Sequence, residues 1–214
     1  MSDDKSKKAA YHHGNLREAL IQGGLSLLAR EGLAGFSLRA LAQELGVSHA
    51  APYRHFASRE ELLTEIVVES RGRFAQALRS SVEHSEAQGR EKLFVLGEAY
   101  VRFFLDNPEI LSVFSILPGQ LAAEGEGLKK IFGRCSDPDP DGAEPQLMSD
   151  PAFMVLRQTA SVFINSFPGL SERDVLLGYW AKVHGLASIL ASQPNYFAPE
   201  SLECGLKRVI RQAF

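Results

Sequence analysis

The sequence predicts an all-α protein in which a small N-terminal helical domain is followed by a larger helical domain. Apolar residues recur at helical spacing along most of the 214 residues. No segment shows the sustained apolar–polar alternation that is typical of a half-buried strand. Residues that begin or end helices divide this pattern into predicted helices at residues 15–30, 37–44, 48–54, 58–84, 90–106, 108–116, 119–132, 150–167, 171–192 and 199–213.

The first two predicted helices have recognisable start and stop residues. Asn15 is a plausible N-cap of the first helix, and Gly32 follows its last turn. Ser37 can cap the second helix because its hydroxyl can accept a hydrogen bond from the first turn. Gly46 can adopt the positive φ that ends a helix. A turn of a few residues therefore separates the second helix from the third.

The later helices are bounded in the same way. Ser48 can cap the short third helix, and Ser58 can cap the fourth. Glu61 stands three residues after Ser58, the spacing of a capping box. Three further helices are expected to begin at a proline, because a first turn does not need the missing N–H. These prolines are Pro108, Pro151 and Pro199.

Charge is unevenly distributed along the chain. The net charge is −3, yet the first 60 residues contain eight Lys or Arg and six Asp or Glu, so the start of the chain is the more basic part. Residues 1–13 are predicted to form a disordered basic arm without the apolar segment of a secretory signal. With Cys135 and Cys204 as the two cysteines and no apolar run of membrane-spanning length, the sequence favours a cytoplasmic protein that does not enter a membrane.

The stretch "GVSHAAPYRHF", residues 46–56, points to a surface that contacts another molecule. Two short helices joined by a tight turn have the size of a helix-turn-helix, with residues 48–54 as its second helix. The outer face of that helix would present His49, Ala50, Tyr53 and Arg54, and small side chains there would let it enter a DNA major groove. Two short helices around a glycine are also a common structural arrangement, in which such histidines are ordinary surface residues.

Residues 14–63 resemble the N-terminal domain of the TetR family of transcriptional regulators. The matching stretches are "NLREALIQGGLSLLAREGLAGFSLRALAQELGVS", "YRHF" and "SREELL", in the family's order. The resemblance implies that Arg39 reaches a base edge and that His49, Ala50 and Ala51 begin the recognition helix. It further implies that four residues contact the DNA backbone phosphates, Ser37, Tyr53, His55 and Arg59, and that Ser48 is also a DNA-binding residue.

Two positions depart from the family's pattern. Arg59 stands where many members have lysine, which keeps the positive charge. Pro52 stands where many members have an aliphatic residue. Because proline lacks an N–H and its ring crowds the preceding turn, Pro52 is expected to distort the recognition helix.

The C-terminal part is similar to one class of TetR ligand-binding domain. The stretch "GYWAKVHGLASIL", residues 178–190, carries the Trp-His-Gly (WHG) signature of that class in Trp180, His184 and Gly185. A packed helix whose histidine bonds a backbone carbonyl is the alternative interpretation. Because a bundle rich in phenylalanine can leave an apolar cavity, a small-molecule site is expected there. Its candidate residues are Phe103, Phe104, Phe114, Phe163, Trp180 and His184.

The last two predicted helices are candidates for a dimer interface. One apolar stripe contains Leu176, Tyr179, Val183 and Leu190, and the other contains Leu202, Leu206, Val209 and Ile210. Two such helices from each of two chains would form a four-helix bundle. The alternative is that both stripes close the core of a single chain.

Together these features predict a DNA-binding domain at residues 14–57 and a ligand-binding and dimerisation domain at residues 58–214. The predicted function is that of a transcriptional regulator, a repressor that binds a palindromic operator in double-stranded DNA as a homodimer and is released by a small apolar ligand. A helical interaction or ligand-binding protein without DNA function is the alternative. No paired carboxylates, nucleophile elbow, phosphate loop or zinc-ligand spacing is found, so neither an enzyme, a metal site nor a cofactor is predicted.

Overall fold

The computed structural model describes residues 16–115, 150–161, 169, 171–192 and 199–212. Within these ranges the chain is helical and contains no strand, so the predicted all-α fold class is confirmed. The helices are α1 Leu16–Gly35, α2 Leu38–Glu44, α3 Arg59–Glu83, α4 Glu91–Asp106, α5 Pro108–Ser115, α6 Pro151–Ala160, α7 Glu172–Ser192 and α8 Pro199–Gln212, with a 3-10 turn at Pro52–Arg54. The predicted helix at 119–132, the arm at 1–13, Asn15 and Phe163 lie outside the described residues.

Contacts divide the chain into two compact units, Met1–Ile66 and Val67–Phe214. The division falls inside α3, later than the boundary expected after residue 57. The reason lies in the first turns of α3, where Leu62, Leu63 and Ile66 are completely buried. These side chains complete the core of the first unit, so the start of α3 packs with α1 and α2.

The first unit is built around α1. Leu20, Leu25 and Leu28 of α1 are buried together with Leu41 of α2. Gly32 has φ +66°, a left-handed conformation that suits glycine, and it kinks the helix at the position where the sequence predicted its end. One further turn follows the kink before the chain enters α2.

The turn between α2 and the next segment is set by local sequence. The Ser37 Oγ accepts a hydrogen bond from the Ala40 N–H at 3.1 Å, which confirms Ser37 as the N-cap of α2. At the other end, the Gly46 N–H donates to the Gln43 carbonyl and the Val47 N–H to the Ala42 carbonyl. With Gly46 at φ +68°, this is a Schellman motif.

In the second unit, α4 packs against α5, α6, α7 and α8, and α6 also packs against α7. An aromatic cluster forms the core where the second half of α3 meets α4 and α5. The ring of Phe74 lies 4.8–5.3 Å from four other rings, centroid to centroid. Those rings belong to Tyr100, Phe103, Phe104 and Phe114. Dispersion and edge-to-face contacts among them hold these helices together.

An ion pair joins α3 to the start of α6. The Arg71 guanidinium bonds the carboxylate of Asp150, whose side chain is 1% exposed. The other Asp150 oxygen accepts from the N–H groups of Ala152 and Phe153, so Asp150 is also the N-cap of α6. The helices α5, α6 and α8 each begin at the proline that the sequence placed in their first turns.

Candidate nucleic-acid interface and ligand cavity

A polar exposed face lies on the first unit, between α2 and α3. Arg39 is exposed on the first turn of α2, and most of the segment that follows the Gly46 turn is exposed as well. Tyr53 is the most prominent member, with 58% of its surface exposed. The exposed side chains of that segment are Ser48, His49, Ala50, Tyr53, Arg54 and His55. They offer hydroxyl, imidazole, guanidinium and methyl groups on one face, which are groups that can contact DNA bases and phosphates.

The recognition helix expected at residues 48–54 is shorter than predicted. The Ala51 N–H donates to the Ser48 carbonyl and the His55 N–H to the Pro52 carbonyl, both contacts that span three residues. Only Pro52–Arg54 forms a 3-10 turn. Pro52 has no N–H to continue an α-helix from Ser48, which is the physical reason for the difference.

Ala51 does not face outward with Ala50. It is buried, with 9% exposure, and Phe56 is buried beneath the same segment. These two buried apolar side chains anchor the segment to the rest of the first unit. Of the two alanines expected at the start of the recognition helix, only Ala50 is therefore available to a partner.

Three arginines of the first unit are engaged in contacts within it. Arg17 of α1 bonds Glu65 of α3 at 2.6 Å, and Arg30 of α1 bonds Glu44 of α2 at 2.8 Å. Arg59 donates to the backbone carbonyls of Leu33 and Phe36. The two remaining arginines, Arg39 and Arg54, form no ion pair among the described residues. The ion pairs of Arg17 and Arg30 were missed by sequence reasoning, because their partners lie on other helices at spacings that no local pattern encodes.

In the second unit, a small cavity lies between α3, α4, α6 and α7. Its volume is about 10 Å³, roughly the space of one water molecule. The lining contains no charged side chain. The lining residues are Phe74, Leu78, Leu96, Tyr100, Ala152, Phe153, Leu156, Tyr179, Trp180 and Val183.

Both phenol groups in this lining already have partners. The Tyr179 hydroxyl donates to the Leu93 carbonyl at 2.6 Å. Burial raises the pKa of Tyr179 above its usual range. Burial also raises the pKa of Tyr100, against an opposing influence of the Trp180 side chain. Both phenols therefore stay protonated at neutral pH, and the wall that they present to the cavity is predominantly apolar.

His184 bonds Tyr100 across the α4–α7 contact. The Tyr100 oxygen lies 2.9 Å from the His184 Nδ1. Burial lowers the pKa of His184, which favours the neutral ring. A neutral ring can accept the phenol proton at Nδ1, and its Nε2 then carries the hydrogen. The histidine of the Trp-His-Gly stretch thus bonds a side chain of α4 rather than a backbone carbonyl.

The candidate ligand residues fall into two groups in the structure. Trp180 lines the cavity and packs on Phe153, with ring centroids 5.2 Å apart. Phe103, Phe104 and Phe114 belong to the aromatic cluster around Phe74 and are not part of the cavity lining. Helical spacing could not have separated the two groups, because these residues lie on three different helices and spacing within a helix does not encode how the helices pack.

The apolar stripe that the sequence offered as a dimer interface on α7 is buried inside the chain. Leu176, Tyr179, Val183 and Leu190 are each at most 5% exposed, which agrees with the alternative that they close the core of a single chain. On α8, Leu206 and Ile210 are buried in the same way, whereas Val209 is 47% exposed.

A different apolar face of α7 and α8 is exposed. Ile189 is 57% exposed and, with Val209, borders a groove of about 360 Å³. The groove is lined by Lys182, Val183, Gly185, Leu186, Ile189, Val209 and Ile210. By length and composition α7 could cross a membrane, and 28% of its most apolar window is buried within the structure. An exposed apolar groove of this kind is a candidate surface for contact with another molecule.

Comparison with known protein families finds similarity that is concentrated in the first unit. Residues 20–66 match the family model described as "Bacterial regulatory proteins, tetR family". The HTH-type transcriptional regulators Rv1816 of Mycobacterium tuberculosis and Mb1846 of Mycobacterium bovis are each 43% identical over 51 residues, which is 24% of this chain. The match covers 22% of the length of these relatives.

Solved structures are similar over nearly the whole chain. A protein of unknown function from Rhodococcus sp. RHA1 is 29% identical, with a TM-score of 0.64 and coverage of 96% of this chain and 98% of that one. The transcriptional regulator FadR from Bacillus subtilis, solved with stearoyl-CoA, is 13% identical, with a TM-score of 0.67 and coverage of 92% and 99%. Residues 20–66 thus match the helix-turn-helix domain of TetR-family regulators, and the whole chain shares its fold with solved TetR-family regulators.

Proposed function

We propose that this chain is a cytoplasmic transcriptional regulator that binds a palindromic operator as a homodimer. The observation that carries the proposal is the polar face of the TetR-type domain, where Arg39, Tyr53 and Arg54 are exposed. Three other arginines of the unit are held in internal contacts. An arginine that is exposed and has no ion pair can direct two of its N–H donors to a base edge or a phosphate.

The DNA contact is tested by selecting a duplex from a random pool with the wild-type protein. Arg39→Met should weaken binding to the selected duplex by about 1–3 kcal/mol and relax the preference at one base pair of each half-site, if Arg39 forms a bidentate guanine contact. The selected sequence should be palindromic, with half-sites about 34–36 Å apart or a multiple of that distance. A wild-type protein that shows no salt-dependent affinity for any duplex would favour the alternative, a helical protein without DNA function.

The dimer is proposed to form through the outer face of α7 and α8. Gly185, Leu186, Ile189 and Val209 lie on this face, and the exposed side chains of Ile189 and Val209 leave apolar area to be covered in a single chain. A second copy that packs the same two helices against it would form a four-helix bundle. Lys182 at the edge of the groove would then lie at the polar rim of the interface.

Ile189→Glu tests this interface by light scattering at micromolar concentration. A charge at the centre of an apolar contact should convert the dimer to a monomer, because an unpaired carboxylate is costly to bury. Met154→Glu is the matched control, since Met154 of α6 is apolar and 48% exposed but lies on a different helix. A wild-type monomer, or a dimer that survives Ile189→Glu, would contradict the proposal.

The regulator is proposed to be a repressor that an apolar small molecule releases from DNA, with Trp180 at its site. The uncharged lining and the occupied phenol groups support an apolar ligand. The cavity must open to admit one, because its present volume holds about one water molecule. The similarity of residues 178–190 to the Trp-His-Gly class supports the same location. FadR from Bacillus subtilis, which shares the fold, was solved with stearoyl-CoA.

A ligand releases DNA only if it binds more tightly to the form with low DNA affinity. A coupling free energy of about 1–3 kcal/mol would reduce operator affinity about 5–150-fold. Thermal stabilisation by decanol, decanoate and decanoyl-CoA, followed by titration of the operator complex with each stabilising compound, measures this coupling. Ala152→Leu, which places a larger side chain in the cavity lining, should abolish the stabilisation. Stabilisation that Ala152→Leu leaves unchanged would place the ligand elsewhere.

A further inference from the structure

The Arg59 side chain, at the start of α3, lies against the corner between α1 and α2. Its Nε donates to the Phe36 carbonyl oxygen at 3.0 Å, and one Nη donates to the Leu33 carbonyl oxygen at 2.5 Å. The guanidinium also lies 5.9 Å from the centroid of the Phe36 ring. With 25% of the side chain exposed, this arginine is the least exposed of the three that hold the first unit together.

The two carbonyls lie just before the start of α2. Leu33 follows the kink at Gly32, in the last turn of α1, and its carbonyl also accepts a hydrogen bond from the Phe36 N–H at 3.3 Å. Phe36 immediately precedes Ser37, the N-cap of α2. Arg39 is the second residue of α2, so the backbone that Arg59 holds is three residues away from the side chain expected to read a base.

We propose that Arg59 is a positioning residue for DNA recognition, holding the α1–α2 corner and thereby the direction of Arg39, and that it does not neutralise a DNA phosphate. This inference rests on the DNA-binding function proposed above, and it differs from the phosphate contact that the family resemblance implies for Arg59. The planar guanidinium directs its donors in a fixed fork, and the two carbonyls already take one Nε and one Nη hydrogen. The other Nη lies 3.6 Å from the Glu60 carboxylate, so turning the guanidinium towards a phosphate would break these contacts next to the start of α2.

Arg54 provides a matched comparison on the same unit. It lies in the 3-10 turn, is exposed, and forms no ion pair among the described residues. An arginine with these properties is placed to neutralise a phosphate. Arg54→Met and Arg59→Met remove the same charge, so any difference between them reports on position and not on net charge.

The first measurement is the salt dependence of binding to a random-sequence duplex. Each phosphate contact that is lost should flatten the slope of log affinity against log salt by about 0.9. We expect Arg54→Met to flatten the slope by about this amount per recognition segment and Arg59→Met to leave it unchanged. A slope for Arg59→Met that falls as far as that of Arg54→Met would overturn the proposal.

The second measurement is thermal unfolding of the same variants. Arg59→Met should lower the midpoint of the first unit because the Phe36 carbonyl loses the Arg59 donor and the Leu33 carbonyl keeps only the Phe36 N–H, and Arg54→Met should not change it. Arg59→Lys keeps the charge but replaces the fork by a single ammonium, so it should also lower the midpoint and supplies a folded variant if Arg59→Met does not fold. An unchanged midpoint for both Arg59 variants would overturn the proposal.

The third measurement separates positioning from simple stabilisation. Below their unfolding midpoints, Arg59→Met and Arg59→Lys should both reduce the ratio of affinities for the selected operator and the random duplex. In an Arg39→Met background the same Arg59 substitutions should reduce that ratio no further, because their effect passes through Arg39. Additive losses would show that Arg59 acts independently of Arg39, and an unchanged ratio in the single Arg59 variants would leave Arg59 a stabilising role alone; either result would overturn the proposal.

The failure of this inference can be distinguished from that of the proposed function. A wild-type protein without salt-dependent affinity for DNA overturns both. Normal wild-type binding with a flattened slope in Arg59→Met overturns only the role assigned to Arg59, and leaves the regulator function in place.

Discussion

The two units of this chain are held together by different kinds of contact. In the first unit, Arg17, Arg30 and Arg59 connect three helices through polar bonds around a small aliphatic core. In the second unit, Phe74 and four neighbouring rings form the centre. The difference teaches that apolar burial mainly stabilises a unit, whereas a directed polar contact mainly fixes the orientation of the helices that it joins.

The difference agrees with what each unit is proposed to do. A domain that reads DNA has to present short segments at fixed angles, and directed bonds between helices fix angles. A domain that opens for an apolar ligand needs a core whose side chains can repack, and the hydrophobic contribution of an apolar core is non-directional. We therefore expect that substituting a buried ring of the second unit reduces the free energy of unfolding more than substituting a paired arginine of the first unit.

The largest expected effect comes from Phe104→Ala. Phe104 is completely buried and contacts Phe74, Tyr100, Phe103 and Phe114. Removing the ring should reduce the free energy of unfolding by about 3–5 kcal/mol, through lost apolar transfer and the cavity left behind. Urea titration measures the loss, and Met154→Ala on the exposed side of α6 should stay within about 0.5 kcal/mol of wild type. A loss for Phe104→Ala as small as that control would contradict the role given to the cluster.

Asp150→Ala is expected to follow, as the polar exception within the second unit. It removes the N-cap of α6, worth about 1 kcal/mol, and a charged hydrogen bond to Arg71, worth about 1.5–3 kcal/mol. The total expected loss is about 2–4 kcal/mol. Asp150→Asn should lose less, because its side-chain oxygen can still accept from the first turn of α6. Equal losses for Ala and Asn would show that the cap contributes nothing and the charge contributes all.

The contact between Tyr100 and His184 predicts a pH dependence in the second unit. Because burial lowers the pKa of His184 below its ordinary value of 6.5, the unfolded chain takes up a proton at a higher pH than the folded chain. The stability associated with His184 is thus present above that value and is lost as the pH falls below it towards the pKa of the folded protein. His184→Gln should remove this part of the pH dependence, as measured by urea titrations between about pH 5 and pH 7. Parallel pH profiles for wild type and variant would contradict the assignment.

The smallest effect is expected from Arg17→Met in the first unit. The ion pair between Arg17 and Glu65 is short, but both side chains are well exposed, at 50% and 38%. Solvent screens such pairs, so the free energy of unfolding should fall by about 0.2–1 kcal/mol at low salt and by less at high salt. A loss as large as that of Phe104→Ala would mean that polar contacts stabilise the first unit as strongly as rings stabilise the second.

Local signals in the sequence predicted most of the described secondary structure. Ser37, Pro108 and Pro151 mark helix starts in the structure as they do in the sequence, and Gly46 ends α2 with the expected positive φ. Caps and turns act over three or four residues, so a short stretch contains everything that specifies them. The capping box at Ser58 was right in its main bond, since the Glu61 N–H bonds the Ser58 Oγ, while the Glu61 carboxylate accepts from the Ala57 N–H.

The site was predicted less completely, for reasons that lie outside any short stretch. The exposed positions of Arg39, His49 and Tyr53 agree with the sequence-based expectation of an outward face. The hydrogen-bond partners of Arg59 could not be inferred from its charge, because they are backbone carbonyls more than 20 residues earlier in the chain. The same charged residue can contact a phosphate or a carbonyl, and only the packing of α3 on α1 selects one.

The sequence by itself determined the fold class, most of the helix starts and the turn that follows α2, because these depend on residues that are neighbours in the chain. Tertiary structure alone decided which apolar face of α7 is buried. Leu176 and Val183 pack inside while Ile189 remains exposed, although all three are apolar and lie on one helix. A helix with apolar residues around most of its circumference has several faces that could form a core, and the face that does so is chosen by the helices that pack against it.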